Sequence, residues 1–232
     1  MVKIYNMNKK IILWWWIALL TLWLVWGFFY HVNTLNYTKH KNIQAHIVEH
    51  PENLPNSNAA KIWSFGFTNL AADMYWLQTI QYIGENVIWW EYKKYLSVMM
   101  NLITDLNPYF ESPYNIGQLL LPADSGAYDD IDNPENLKYY KQAEQLGLKW
   151  VKNFCKSDIL NAIKNEDNLW SIINDPIYSN PCKSYKPAYY LAYIYYFYLK
   201  DNSAAADYYK IVSAQDDAPQ WAKTLAAIMQ WK

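Results

Sequence analysis

Met100-Asn101-Leu102-Ile103-Thr104-Asp105-Leu106-Asn107-Pro108-Tyr109-Phe110, followed by Tyr114-Asn115-Ile116-Gly117, reads as one helix ending and another beginning. Ile103 and Leu106 close an apolar stripe at helical spacing. Pro108 has no N–H to continue that helix, and it pushes Asn107 out of the α region. The pattern then restarts, with Gly117 at a position where two helices must approach closely. A helix–break–helix junction of this kind predicts stacked helical hairpins, an all-α architecture.

Outward from the junction the same alternation holds. Asn58 is placed to cap a helix starting near Ala59, and Phe67, Leu70, Met74, Leu77 and Ile80 recur at helical spacing with Trp76 beside them. Gly84 is expected to end that helix. The next helix carries Tyr92, Tyr95, Leu96, Met99, Ile103 and Leu106, so the two make an αα-hairpin. Pro113 to Leu121 opens a second hairpin, which Pro122 to Pro134 interrupts. In that loop Asp124, Asp129, Asp130 and Asp132 raise a calcium reading, but the EF-hand spacing and its turn glycine are missing. A solvated acidic loop is the plainer alternative. Helix 135–154 then presents Tyr140, Ala143, Gly147 and Val151 on one face.

Cys155 and Cys182 are the two cysteines. Their separation excludes a C-x-x-C redox motif, and two thiols alone make a poor zinc site. A disulfide between them is expected, with two buried free thiols as the alternative. Ser157 to Asn165 reads as helix, and Asp175 to Pro181 as a turn-rich loop. Pro187 to Leu199 is apolar but too short to span a membrane. Lys200-Asp201-Asn202-Ser203 stops it and caps a helix holding Ala205, Tyr209 and Val212; Pro219 starts another with Trp221, Leu225 and Ile228.

Towards the N-terminus, Ile11 to Tyr30 carries no charge and holds Trp14, Trp15, Trp16, Trp23 and Trp26. About 20 helical residues match the hydrocarbon thickness of a bilayer. Phe28 to Asn33 offers no small-x-small cleavage site, which argues against a removed signal peptide. Lys3, Lys9 and Lys10 precede the span and favour a cytoplasmic N-terminus. The division expected is a cytoplasmic segment 1–10, an anchor 11–31, a polar linker 32–57 and a helical domain 58–232. That domain then lies outside the cytoplasm on a single-pass anchor in the cell membrane, where disulfides persist. His46 and His50 stand at i, i+4, but Pro51 cuts their helix short and no third ligand is fixed, so no metal is expected.

Three of these stretches resemble tetratricopeptide repeats, whose period is about 34 residues. With Pro108 as the repeat-ending proline, Gly84 takes the small-residue position and Tyr114 comes near the large-residue position of the next unit. Leu96, Met100 and Ile103 stand where the family prefers Ala, an aromatic and Ala. Asn69 to Gly84 looks like the opening of a group of bacterial membrane-anchored tetratricopeptide-like proteins. Ala192, Tyr195, Ala205 and Tyr209 look like the core signature of a further unit, its two helices one residue too far apart. Residues 122–186 depart from the period. The resemblance implies an α-solenoid that serves assembly, with the first helix of each hairpin lining a concave face. Carried over residue by residue, it places Gln78, Gln81, Glu85, Asn115, Lys186, Tyr189 and Tyr193, with Tyr196 one turn on, in a partner-binding groove.

The net charge is −1, and all 20 basic residues are lysine. Nucleic acid is therefore not expected as a partner, because arginine makes the usual bidentate base and phosphate contacts. No G-x-S-x-G, H-E-x-x-H or phosphate-cradling glycine loop is present, so neither an enzyme nor a cofactor is expected. Carboxylates such as Glu85 and Asp105 read as solvated. The function expected is a membrane-tethered scaffold that binds another envelope protein. The 13 Trp and 22 Tyr motivate the alternative, a glycan- or cell-wall-binding module.

Overall fold

A computed structural model describes residues 9–86, 91–123 and 134–230. The acidic loop 124–132 and the N-terminal eight residues lie outside the described residues, as does the side chain of His46. The chain forms two compact units, Met1–His50 and Pro51–Lys232.

The first unit is one helix, α1 (Lys9–Glu49). Its 41 residues, at about 1.5 Å each, make a rod of about 60 Å. Within it, Trp15–Leu35 is long and apolar enough to cross a membrane. Much of the polar segment read as a linker is helical: asparagines alone do not stop a helix, and from Phe28 to His50 there is no proline or glycine. Pro51 supplies the break, and the second unit begins there.

The second unit is all-α, and among its described residues the only β pairing is an isolated bridge between Cys155 and Cys182. Its helices are α2 (Ser57–Trp63), α3 (Thr68–Asn86), α4 (Lys93–Leu106), α5 (Glu111–Leu120), α6 (Pro134–Phe154), α7 (Ser157–Asn165), α8 (Leu169–Asn174), α9 (Lys186–Tyr193), α10 (Asn202–Ser213) and α11 (Gln220–Gln230). Asn56 rather than Asn58 caps α2, its Oδ1 accepting from Ala59 N at 2.9 Å. Asp201 caps α10, accepting from Ala204 N at 2.9 Å, and Lys200 before it turns left-handed at φ 56°.

Consecutive helices pack on one another in the order α3, α4, α5, α6, then α9, α10 and α11. Between α6 and α9, residues 155–182 leave this series, and α7 and α8 fold back against α10. The Sγ atoms of Cys155 and Cys182 lie 2.01 Å apart, a disulfide that closes the base of that excursion. Two backbone bonds flank it, Lys156 N to Pro181 O (2.8 Å) and Lys183 N to Phe154 O (3.0 Å). Residues 155–182 thus form a pinned insertion between two helices that pack together.

The centre is aromatic. Tyr114, Trp150 and Phe154 pack as a triad, with Tyr114 and Trp150 stacked at 5.7 Å and Phe154 edge-on to both. Asn153 Nδ2 donates to the Tyr114 hydroxyl at 2.8 Å, which donates on to Pro108 O at 3.1 Å. Small residues let these helices close: a Cβ on Gly117 would lie 2.4 Å from Leu146 Cδ2 and 3.2 Å from Met100 Cγ. The sequence signature Ala192, Tyr195, Ala205 and Tyr209 is buried within one cluster.

α3 departs from expectation. Its row Leu70, Met74, Leu77 and Ile80, with Phe67 before it, is exposed, while Ala72, Gln78, Thr79 and Tyr82 are buried. The small residues Ala71 and Ala72 fit close against α4, and the bulky row lies on the opposite side. Gly84 does not end α3, which runs to Asn86, and nothing lies within 4 Å of where its Cβ would be. The same inversion recurs in α11, where Ala222 and Ala226 are buried and Trp221 and Ile228 exposed.

Candidate functional site

The residues expected in one groove divide between two surfaces. Gln78 is not on a groove: it is 8 % exposed, because the small-residue side of α3 that carries it faces inward. Gln81 and Glu85 lie on the exposed side of α3 beside the bulky row. Neither lines the cleft formed further along the chain.

That cleft lies between α5 and α9. Gln118, Leu119 and Pro122 form one wall and Tyr189, Tyr190, Tyr193 and Tyr198 the other, around a volume of about 370 Å³. Tyr189 and Tyr193 are thus brought together as expected, while Asn115, Lys186 and Tyr196 do not line it. The reason for Tyr196 is local. After Tyr193 the helix widens into a π turn, Ile194–Tyr198, closed by Leu199 N to Ile194 O at 3.0 Å. A π turn adds a residue per turn, so the i, i+3, i+7 stripe fails and Tyr198 takes the place assigned to Tyr196. The sequence reading also missed Tyr190 and Gln118. The double tyrosine Tyr189-Tyr190 carried a signal for the first, since adjacent residues on a helix share the edge of a face.

The tyrosines are held differently. Tyr189 is braced by the rings of Tyr185, Tyr190, Tyr209 and Trp221, with centroids 5.3–6.3 Å away. Tyr190 stacks on Trp150 at 6.2 Å and so ties the cleft to the aromatic centre. Tyr193 meets Phe197 at 4.5 Å and Tyr198 at 5.9 Å, a shallower support. Burial, and then the neighbouring phenols, push Tyr189 and Tyr190 above the ordinary tyrosine range. Both therefore stay neutral donors in ordinary conditions. Among the described residues, no charged side chain lines the cleft. Gln118 is buried: its Nε2 donates to Tyr114 O at 3.4 Å, and its Oε1, packed where a Cβ on Gly147 would be 2.6 Å away, has no hydrogen-bond partner among the described residues. Neutral hydroxyls on flat rings suit a neutral, hydrogen-bonding guest such as peptide backbone or sugar.

Asp105 is not the solvated carboxylate expected. Oδ2 accepts from Ser57 Oγ and Oδ1 from Lys149 Nζ, both at 2.5 Å, and Lys149 also donates to Thr104 Oγ1 at 2.6 Å. Burial alone would raise its pKa, but the bonds from Lys149 and Ser57, with the charges of Lys149 and Lys61, hold it below the usual carboxylate range. The arrangement is a clasp joining α2, α4 and α6. Lys93, buried on α4, similarly donates to Ala123 O.

No protein-family model, no curated protein and no solved structure matches this chain.

Proposed function

We propose that this chain is a membrane-tethered helical scaffold of tetratricopeptide type, and that its α5–α9 cleft takes an extended segment of another envelope protein. The observation that carries the reading is the cleft itself: four tyrosines and a buried glutamine around an uncharged opening of about 370 Å³. Serial packing of α3 to α6 and α9 to α11 supports a solenoid, whose exposed faces bind by area rather than by a deep catalytic pocket. The helix Trp15–Leu35 supports the tether, and the Cys155–Cys182 bridge supports a domain outside the reducing cytoplasm. The glycan reading is the alternative, favoured by the same cluster of tyrosine rings.

Photocrosslinking from a probe amino acid at position 193 in intact membranes tests this. A trapped polypeptide, lost on Tyr189→Ala, is the expected result. Trapped polysaccharide favours the alternative, and no adduct at 193 overturns both. Digestion of residues 57–232 by protease outside spheroplasts checks the orientation, and full protection overturns it.

A further inference from the structure

In the second unit, an uncovered apolar surface begins at the turn between α2 and α3. Ile62, Trp63, Phe65 and Phe67 are 72, 67, 88 and 70 % exposed, and Leu70 continues the surface onto α3. The turn is not slack. Ser64 N donates to Ala60 O at 2.9 Å, Phe65 N to Ile62 O at 3.2 Å, Phe67 N to Ser64 O at 2.8 Å and Ser64 Oγ to Lys61 O at 2.7 Å. Phe65 (φ 49°) and Gly66 (φ 89°) are both left-handed. A hydrogen-bonded backbone thus holds large rings outward.

We infer that this turn inserts into the headgroup–acyl boundary of a lipid bilayer. The inference goes beyond the cleft and rests on reading Trp15–Leu35 as a membrane anchor. Three features choose lipid over a protein partner. From Ser57 to Ala72 the only charged residue is Lys61, so the tip itself carries no acidic side chain, and exposed Asp73 is the first one reached along α3. Trp and Phe on an apolar tip with one lysine beside it match the residue preferences of the membrane interface. Exposures of 67–88 % describe a protruding tip, which sinks into a fluid boundary more readily than it fits a preformed groove. The chain also supplies the bilayer: Ile62 follows the end of the span by about 27 residues, so the tether keeps lipid at high local concentration.

The test uses the full chain in vesicles of mixed zwitterionic and anionic lipid. Both native cysteines are bridged, so one cysteine introduced by Asn69→Cys takes an environment-sensitive fluorophore and leaves every ring in place. Trp23→Cys marks the span and Ile177→Cys an exposed reference. Shallow spin-labelled lipid is expected to quench the label at 69 several-fold more than at 177, lipid labelled deep in the acyl chain is expected to quench the label at 23, and Phe65→Asp with Phe67→Asp is expected to abolish the difference between 69 and 177. Equal quenching at 69 and 177, with 23 quenched, overturns the inference alone. An unquenched label at 23 overturns it together with the anchor. Persistence of quenching in the aspartate variant removes the rings as its cause. Shielding at 69 that grows with protein concentration in detergent, without lipid quenching, assigns the surface to a second copy and overturns the inference.

Discussion

α3 and α4 form one hairpin, yet they divide their residues in opposite ways. α4 buries nine of its residues, among them Leu96, Met99, Met100, Leu102, Ile103 and Leu106. α3 buries four, two of them the polar Gln78 and Thr79, and leaves Leu70, Met74 and Leu77 outside. An apolar period states that a helix has an oily face, but not which neighbour covers it. α4 has α3, α5 and α6 around it, whereas α3 packs chiefly on α4. The side of α3 that meets its neighbours carries Ala71, Ala72, Tyr75, Trp76 and Tyr82, and the row Leu70, Met74 and Leu77 remains outside.

The sharpest way to break this contrast is to cut into the centre. Trp150→Ala removes the ring that Tyr114, Phe154 and Tyr190 all touch and should cost about 3–5 kcal/mol in urea unfolding. A loss below about 1 kcal/mol would show that the centre is no better packed than a surface. Next in size is the bridge. For a separation of 27 residues the chain-entropy model gives about 3.5 kcal/mol, so reduction should weaken amide protection in α7 and α10 far more than in α3. An alkylation mass shift without reductant would deny the bridge.

Two glycines sharpen the comparison by sign. Gly117→Ala drives a methyl at buried Leu146 and Met100 and should cost about 1–3 kcal/mol. Gly84→Ala meets open space and should gain up to about 1 kcal/mol of helix propensity. Like signs would mean that the two ends of the hairpin series are packed alike. Smaller again is the clasp. Asp105→Asn should cost about 1–2 kcal/mol, reduced by its partial exposure. Its folded pKa is depressed, so the contribution is present above the unfolded value near pH 4 and is lost as pH falls through the folded one. Acid titration of unfolding should therefore separate wild type from Asp105→Asn at neutral pH and merge them at low pH. The smallest effect falls on the open face: Leu77→Ser should change stability by no more than about 0.5 kcal/mol. A large loss would show that the row is covered after all.

Much of this was legible from residues. Pro108 placed the α4–α5 junction, Gly117 the close approach, and Ser157 to Asn165 the bounds of α7. Asp201 before Asn202 gave the stop and cap between α9 and α10. Tyr189 and Tyr193, carried over from the tetratricopeptide resemblance, share one cleft because helical spacing holds through the first turns of α9. What escaped depends on neighbours or on backbone detail. Gln78 reads as a surface polar residue until the small side of α3 turns inward. Tyr198 reads as two residues past the assigned position 196 until the π turn is known. Asp105 reads as solvated because its partners Ser57 and Lys149 are far away in sequence.

The pinned excursion has one more consequence. Cys155 and Cys182 enclose a run holding α7, α8 and the turn Pro176–Tyr178, joined by short connections of the kind at which proteases cut. A single cut anywhere between them leaves both fragments covalently joined through sulfur. In an oxidising, protease-rich compartment the N-terminal helix and the α9–α11 end would stay one molecule after such a nick, coming apart only when the bridge is reduced.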